Sequence, residues 1–298
     1  MVETIILGSI ALDSIETPFG KVTDALGGSA TYAGYACSFF VKPGIVGIIG
    51  EDFPKSHWTT LSQKMDLAGV EKKGKTFRWQ GLYEYDMNEA KTLRTEINCL
   101  TELQPKLSPE YRKAKYVFLG NTDPEIQLAV FEQLENPELV VMDSMNLWIQ
   151  HKKAQLLKMI GKTDVLLLNH GEARQLFETT NLVKAAQKAL SLGPTAVIIK
   201  KGEHGSLLFT KDKHFNAGSY PLEVVKDPTG CGDCFGGAFI GYLAKTKDIS
   251  EKNMRKAIVY GSVVASFNAE DFSIHRMEKL KHSEIEQRYE QMKEMKEF

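Results

Sequence analysis

The chain has 298 residues, a length that one α/β unit can reach, and 43% of them are apolar, which is enough for a large core. The formal net charge is −1 and no basic run is interleaved with aromatic residues, so neither nucleic acid nor a membrane surface is predicted as a partner. No apolar stretch approaches the ~20 residues of a membrane helix, the first residues do not resemble a secretory signal, and four cysteines in a chain this long do not form a disulfide framework. We therefore expect a soluble cytoplasmic protein.

Short apolar runs alternate with helical patterns along the chain. The runs that we predict as strands are 4–8, 45–49, 116–120, 139–143, 165–168, 196–200 and 206–209. The patterns that we predict as helices are 30–39, 58–68, 125–134, 147–160, 171–177, 182–192, 234–245, 253–268 and 283–296. Continuous apolar strands separated by helices indicate a mostly parallel central sheet with helices on both faces. Ligands then bind at the carboxyl ends of the strands.

Two segments depart from this alternation. Residues 13–26 follow the first strand and carry no helical period. Residues 76–98 are predicted to form antiparallel strands, because their aromatic residues stand at alternate positions: Phe77, Trp79, Tyr83 and Tyr85. We expect a small β lid over a site, and we expect its aromatic face to be covered by substrate or by a second copy of the chain. A homodimer through the lid is therefore one prediction.

Residues 69–76 read Gly-Val-Glu-Lys-Lys-Gly-Lys-Thr and satisfy the P-loop pattern. A P-loop follows a strand and opens a helix. This segment instead follows the predicted helix 58–68 and enters the aromatic strand that begins at Phe77. We interpret the match as accidental.

A glycine-rich turn at residues 227–237 reads Asp-Pro-Thr-Gly-Cys-Gly-Asp-Cys-Phe-Gly-Gly and leads directly into an apolar helix. The amides at such a helix start have no intrahelical partners and point toward one spot, where the helix dipole adds positive potential. A phosphate group binds there at little cost. Asp233 places a carboxylate beside this anion site, and transfer of a phosphoryl group to a hydroxyl needs such a base.

This turn resembles the second signature of the ribokinase-like (PfkB) carbohydrate kinase family, which reads roughly Asp-Thr-Thr-Gly-Ala-Gly-Asp. The resemblance implies that Asp233 is the catalytic base and that Thr229 contacts the nucleotide. It also implies an anion hole made by the amides of Gly230, Cys231 and Gly232.

The resemblance extends over nearly the whole chain. Asp13, just past the first strand, matches the family's aspartate that binds sugar hydroxyls, and Gly27-Gly28 is similar to the glycine pair whose backbone lies close to the sugar. Tyr32 stands where the family commonly has an asparagine that contacts the sugar. The larger phenol changes the size and polarity of the substrate pocket.

Two further motifs imply ATP and Mg²⁺ as the cofactors. Asn169 and Glu172 match the family's Asn-x-x-Glu motif, which organises the magnesium ion and its waters near the phosphates. Lys201, Gly202 and Gly205 match the Gly-x-x-Gly loop that lines the nucleotide.

Together these features predict one ribokinase-like α/β domain over residues 1–298, with a lid from about 13–26 and 76–98. The predicted activity is ATP-dependent phosphorylation of a hydroxymethyl group on a sugar, with a nucleoside or an inositol as the alternative acceptor. A protein of another class, redox-active through Cys231-Gly-Asp-Cys234, is a weaker alternative. A lone Cys-x-x-Cys pair is weak evidence without its fold context, and Cys37 and Cys99 do not provide a second pair of metal ligands.

Overall fold

The computed structural model describes residues 2–296, which form two β-sheets and eleven α-helices. The strands, in chain order, are β1 (Thr4–Leu7), β2 (Ala11–Thr17), β3 (Gly20–Gly27), β4 (Gly44–Ile49), β5 (Asp66–Lys72), β6 (Phe77–Tyr83), β7 (Ala90–Glu96), β8 (Tyr116–Leu119), β9 (Leu139–Met142), β10 (Val165–Asn169), β11 (Ala196–Lys200), β12 (Ser206–Thr210) and β13 (His214–Ala217). The α-helices are α1 (Ser29–Cys37), α2 (Lys55–Lys64), α3 (Pro124–Phe131), α4 (Asn146–His151), α5 (Lys153–Ile160), α6 (His170–Phe177), α7 (Leu182–Leu190), α8 (Cys231–Thr246), α9 (Glu251–Asn268), α10 (His275–Lys279) and α11 (His282–Glu294). No helix within residues 2–296 combines the length and the apolar character needed to cross a bilayer.

The larger sheet contains nine strands in the order β13-β12-β11-β10-β9-β8-β1-β4-β5. Seven neighbouring strands of this sheet, β11-β10-β9-β8-β1-β4-β5, run parallel to one another. The remaining two, β12 and β13, are antiparallel additions at one edge. Every residue of β1, β8 and β9 is buried. This confirms the prediction of a mostly parallel sheet, whose short continuous apolar strands are covered on both faces.

Helices pack on both faces of this sheet because alternate strand residues point to opposite sides. Ile6 and Leu167 join a core cluster with residues of α1, α8 and α9. Ile5 and Leu166 join a second cluster with residues of α3, α5, α6 and α7. The two clusters lie on opposite faces and hold the strand ends in fixed positions.

The structure differs from the prediction at two predicted helices and at one strand that was not predicted. The helix predicted over 58–68 ends at Lys64, and the edge strand β5 follows it; its charged and half-exposed residues gave no apolar run. The helix predicted over 147–160 is divided into α4 and α5, since Lys152 has a φ of −138°. The edge strand β13 was not predicted, because only Ala217 of its four residues is buried.

The P-loop-like segment, residues 69–76, begins within β5 and ends directly before β6. Gly69 belongs to β5, so the statement that the segment follows a helix was wrong. The segment leads into β6 and opens no helix. The Thr76 hydroxyl donates a 2.7 Å hydrogen bond to Oδ1 of Asp52. The segment therefore lacks the strand–loop–helix geometry that phosphate binding by a P-loop requires.

The smaller sheet has four strands in the order β3-β2-β6-β7. Strand β2 pairs antiparallel with β3 and parallel with β6, and β6 pairs antiparallel with β7. One face of this sheet forms a small apolar cluster that includes Ile15, Trp79 and Tyr83 together with Phe272, which follows α9. The aromatic alternation thus predicted the strands correctly, and part of the aromatic face is covered within the chain.

Candidate active site

The glycine turn at residues 227–237 forms the uncapped N-terminus of α8. Gly230 precedes the helix with a φ of 74°, and no side chain caps it. A methyl group on Gly230 would overlap the ring of Tyr32, so both the backbone and the packing require glycine here. The first amides of an uncapped helix lack intrahelical acceptors, and the helix dipole makes this end attractive to an anion.

The cysteines of the turn are not arranged for redox chemistry. The amide of Cys231 donates a 3.1 Å hydrogen bond to the carbonyl of Pro228, so this amide is already paired. Burial raises the pKa of the Cys231 thiol to about 12, and burial also raises the pKa of Cys234. A reactive cysteine needs a lowered pKa and access to solvent. The turn is therefore better suited to binding an anion than to thiol exchange.

Asp233 lies in the first turn of α8 near two charged side chains of the large sheet. Asp143 directly follows β9 and forms an ion pair with Lys200, the last residue of β11. Burial and, to a smaller extent, Asp143 raise the pKa of Asp233 to about 7, against the opposing effect of Lys200. A carboxyl group with a pKa near neutrality is suited to accept a proton during a reaction and to release it afterwards.

Glu172 and Asn169 form a reciprocal cap at the start of α6. The Asn169 backbone N–H donates to Oε2 of Glu172 at 2.7 Å, and the Glu172 backbone N–H donates to Oδ1 of Asn169 at 2.8 Å. Burial and Asp143 raise the pKa of Glu172 to about 7, and Lys200 counteracts them. The pair fixes one carboxylate at the carboxyl end of β10, next to Lys200 on β11.

Asp13, on β2 of the small sheet, lies near the same charged groups, and we give the name cleft to the region around Asp13, Asp143, Glu172, Lys200, Asp227 and Asp233. It is buried, and the backbone N–H of Gly28 donates a hydrogen bond to its carboxylate. A methyl group on Gly27 would overlap this carboxylate, and Gly28 has a φ of 92°, so the glycine pair allows Asp13 to lie against the backbone. Burial, Asp227 and Asp233 raise the pKa of Asp13 to about 8. The structure thus brings Asp13 and Asp233 together across 220 positions of sequence.

Tyr32 packs directly against the glycine turn. Its side chain is fully buried and its ring faces Gly230, and its carbonyl accepts a 3.7 Å contact from the Cys234 thiol. Within residues 2–296 its hydroxyl has no hydrogen-bond partner. The tyrosine therefore fixes the position of the turn. Burial and the nearby charge of Asp13 raise the pKa of its unpaired hydroxyl.

The residues expected at the nucleotide lie on two loops. The carbonyl of Gly205 accepts a 2.7 Å hydrogen bond from the Lys201 amide, which closes the loop after β11, and a methyl group on Gly205 would overlap the Ala217 carbonyl. Gly202 is exposed in this loop with a φ of 57°. The carbonyl of Thr229 accepts a 2.8 Å hydrogen bond from Asn268, the last residue of α9.

Sequence reasoning missed two charged groups of the cleft, Lys200 and Asp227. Lys200 was taken as an ordinary strand end, although the adjacent Lys201 was assigned to the nucleotide. Asp227 is fully buried and accepts a 2.9 Å hydrogen bond from the backbone N–H of Thr229. A charged residue at the end of a buried apolar strand is the signal that would have indicated Lys200.

The carboxylates of the cleft permit a test of the expected magnesium ion. Among residues 2–296, no group of three or more acidic, histidine or cysteine side chains is arranged to hold a metal. Mg²⁺ commonly keeps several waters and is bound by phosphate oxygens with one or two carboxylates. The cleft therefore fits an ion that is held mainly by nucleotide phosphates and water, with Glu172 and Asp143 nearby.

Comparisons with known proteins agree with this geometry. Residues 21–277 match the pfkB family carbohydrate kinase model. A cytidine kinase of Thermococcus kodakarensis is 28% identical over 258 residues, which is 84% of this chain and 92% of the relative. The crystal structure of a Methanocaldococcus jannaschii nucleoside kinase, an archaeal member of the ribokinase family, superposes with a TM-score of 0.77 at 21% identity and covers 97% of this chain and 99% of that one. A Burkholderia thailandensis nucleoside kinase in complex with ADP-inosine superposes with a TM-score of 0.77 at 18% identity and covers 97% and 95%.

The family model covers most of the chain, and the structural neighbours share its fold from end to end. The protein therefore belongs to the pfkB family of carbohydrate and nucleoside kinases, which are ATP-dependent phosphotransferases.

Proposed function

We propose that the protein transfers the γ-phosphate of ATP to the hydroxymethyl group of a nucleoside. The observation that carries this proposal is that buried Asp13 lies close enough to Asp233, in the first turn of the uncapped α8, for the charge of Asp233 to act on it. Asp13, which would accept hydrogen bonds from sugar hydroxyls, and Asp233, the proposed base, then lie near the same anion site. A nucleoside is favoured over a free sugar because a cytidine kinase is among the relatives and matches 84% of this chain.

Each group of the cleft has a place in the proposed step. Asp13 accepts hydrogen bonds from ribose hydroxyls and holds the hydroxymethyl group near Asp233. The hydroxyl oxygen attacks the γ-phosphorus, a new O–P bond forms, and the bond from this phosphorus to the β–γ bridging oxygen breaks. The proton of the hydroxyl passes to Asp233, and ADP leaves. The Gly230 and Gly232 amides neutralise charge on the phosphoryl oxygens, and the Cys231 amide joins them only if it gives up its hydrogen bond to the Pro228 carbonyl.

The expected magnesium ion, when bound, neutralises negative charge on the phosphates. Glu172, fixed by Asn169, would orient the waters of such an ion. Thr229 and the loop that contains Lys201, Gly202 and Gly205 are proposed to contact the nucleotide. A cytoplasmic location is also part of the proposal.

The four-stranded sheet is proposed to be the lid of a single kinase domain over residues 1–298, with lid segments at about 13–26 and 76–98. Tyr83 supports this proposal, because it is buried against Ile15 and Phe272, and it accepts a hydrogen bond from the Thr229 hydroxyl at the glycine turn. Closure of such a sheet excludes water and limits ATP hydrolysis without transfer.

Trp79 is the proposed contact of the nucleobase. In the parallel pairing of β2 with β6, Trp79 is the direct partner of Asp13, so both side chains point to the same face of the small sheet. The indole N–H donates a 3.2 Å hydrogen bond to the Thr92 hydroxyl, which orients the ring. A ribose bound to Asp13 would place its base within reach of this aromatic surface.

A phosphate-transfer assay with Mg²⁺-ATP against cytidine, inosine, free ribose, fructose and myo-inositol tests the proposal. We expect kcat/KM to be highest for a nucleoside. Trp79→Ala should raise the nucleoside KM on the order of 10-fold, given the usual energy of base stacking, and should leave turnover of free ribose unchanged. Trp58→Ala, on α2, is the matched control. Transfer to free sugars alone, or an equal effect of both variants, would contradict a nucleoside acceptor.

A further inference from the structure

Lys200 occupies a protected position at the carboxyl edge of the large sheet. It ends β11 and is paired in register with Asn169, the last residue of β10. Its side chain is only 15% exposed, and its ion-pair partner Asp143 is 4% exposed. Burial of a lysine at this level is unfavourable unless its charge has a defined partner.

The ammonium group of Lys200 points at the glycine turn. A methyl group built on Gly232 would lie 3.1 Å from Nζ of Lys200. The positive end of the α8 dipole is at the same place. Two positive potentials therefore converge on one point, and an anion between them would relieve their repulsion.

Lys200 also has hydrogen-bonding capacity left for a ligand. An ammonium group carries three N–H donors. Within residues 2–296 the structure gives Nζ one hydrogen-bond acceptor, Oδ2 of Asp143. Two donors consequently remain for a ligand.

The surrounding charges keep Lys200 protonated. Burial lowers its pKa, but Asp143, Glu172 and Asp233 together raise it above the ordinary value. The side chain is therefore a fixed cation and not a proton donor or acceptor at neutral pH.

We propose that Lys200 is a catalytic residue that binds the transferred phosphoryl group directly through the ammonium N–H groups that Asp143 leaves free. Asp143 positions the ammonium, and the amides of the glycine turn approach the phosphoryl oxygens from the other side. Lys200 keeps all its protons in this step, because the hydroxyl proton goes to Asp233. The inference rests on the proposed phosphotransfer and adds a side-chain contact to it.

The competing explanation is that Lys200 only balances the buried charge of Asp143. The two explanations differ in which nucleotide is affected when the charge is removed. A phosphoryl-binding lysine contributes to the binding of a triphosphate and little to that of a diphosphate. A purely structural lysine affects both nucleotides alike.

Calorimetric titration with Mg²⁺ and either ADP or adenylyl imidodiphosphate, the non-hydrolysable ATP analogue, distinguishes the two explanations of Lys200. For Lys200→Met we expect the Kd of the analogue to rise on the order of 10- to 100-fold, as for a lost hydrogen bond to a charged group. The Kd of ADP should stay nearly unchanged, and kcat should fall while the acceptor KM changes little. Lys200→Arg should recover most of the preference for the triphosphate.

Lys152→Met is the matched control, since Lys152 is also an ion-paired lysine, with Asp123 and Glu125 as its partners, but lies outside the cleft. If Lys200→Met fails to fold, the double variant Lys200→Met with Asp143→Asn removes both charges and should show the same selective loss. Equal losses for both nucleotides, or no loss, overturn the inference even where the wild-type protein is an active kinase. Absence of phosphate transfer by the wild-type protein would instead refute the proposed function.

Discussion

The hydroxyl of Thr229 donates a 3.2 Å hydrogen bond to the hydroxyl of Tyr83, a residue 146 positions earlier in the chain. Thr229 belongs to the glycine turn, just before α8, and Tyr83 ends the strand β6 of the small sheet. This contact ties the four-stranded sheet, which we propose is the lid, to the glycine turn. A movement of this sheet would therefore shift the Thr229 side chain, beside the place where the phosphoryl group would bind.

Removing that hydroxyl should loosen the lid. Tyr83→Phe eliminates a hydrogen bond with a net value of about 1 kcal/mol and leaves the aromatic packing intact. We expect a higher acceptor KM and a larger fraction of ATP hydrolysed without transfer, measured as ADP released per phosphorylated product. Tyr85→Phe serves as the control, because Tyr85 is 89% exposed. An unchanged ratio of ADP to product in Tyr83→Phe would show that this bond does not hold the lid.

Asp13 should affect the acceptor more than the nucleotide. Asp13→Asn keeps the size that the contact with Gly27 and Gly28 demands. Above pH 8, where the Asp13 carboxyl group is ionised, the substitution removes a charged acceptor, whose hydrogen bonds are roughly twice as strong as neutral ones, so the comparison is made at that pH. We predict a raised KM for the hydroxyl substrate and a nearly unaltered KM for ATP in steady-state kinetics. Equal changes in both constants would remove Asp13 from the acceptor site.

The buried carboxylates should make stability fall as pH rises. Asp13, Glu172 and Asp233 have folded-state pKa values raised to about 8, 7 and 7, well above those of unfolded carboxyl groups near 4. Between pH 4 and these values the folded protein holds protons that the unfolded chain has released. Each unit of a raised pKa lowers the free energy of unfolding by about 1.4 kcal/mol once pH exceeds the folded pKa.

Asp233→Asn tests this relation through urea denaturation at two pH values. The variant should be more stable than the wild type at pH 8, and the difference should shrink toward pH 5, where the native carboxyl group is already protonated. A constant difference at both values would mean that Asp233 has an ordinary pKa in the folded protein.

A homodimer through residues 76–98 remains a prediction. The contact surface is now expected at the exposed apolar residues of this segment and not at its aromatic face. Tyr83 is covered within the chain, whereas Leu93 and Ile97 on the same segment are 54% and 53% exposed. We expect the wild type to sediment as a dimer and the double variant Leu93→Ser with Ile97→Ser to sediment as a monomer. A wild-type monomer would leave the lid solely as a cover for its own cleft.

The glycine turn and the buried parallel strands were predictable because each is specified by neighbouring residues. Strand β5 was missed since its burial comes from one neighbour strand and its sequence carries charges. The ion pair of Asp143 with Lys200 joins residues 57 positions apart, so its geometry depends on how β9, β10 and β11 are ordered in the sheet. Sequence spacing contains no direct record of such contacts.

The role of Asp233 as the base is the central claim, and its pH-dependent kcat tests it most directly. Because its pKa is raised to about 7, wild-type kcat with Mg²⁺-ATP and the preferred acceptor should rise through that pH. Asp233→Asn should lower kcat on the order of 10²–10⁴-fold, remove this rise, and leave the Kd of ATP nearly unchanged. A variant that keeps the wild-type kcat and the same pH profile would contradict the account.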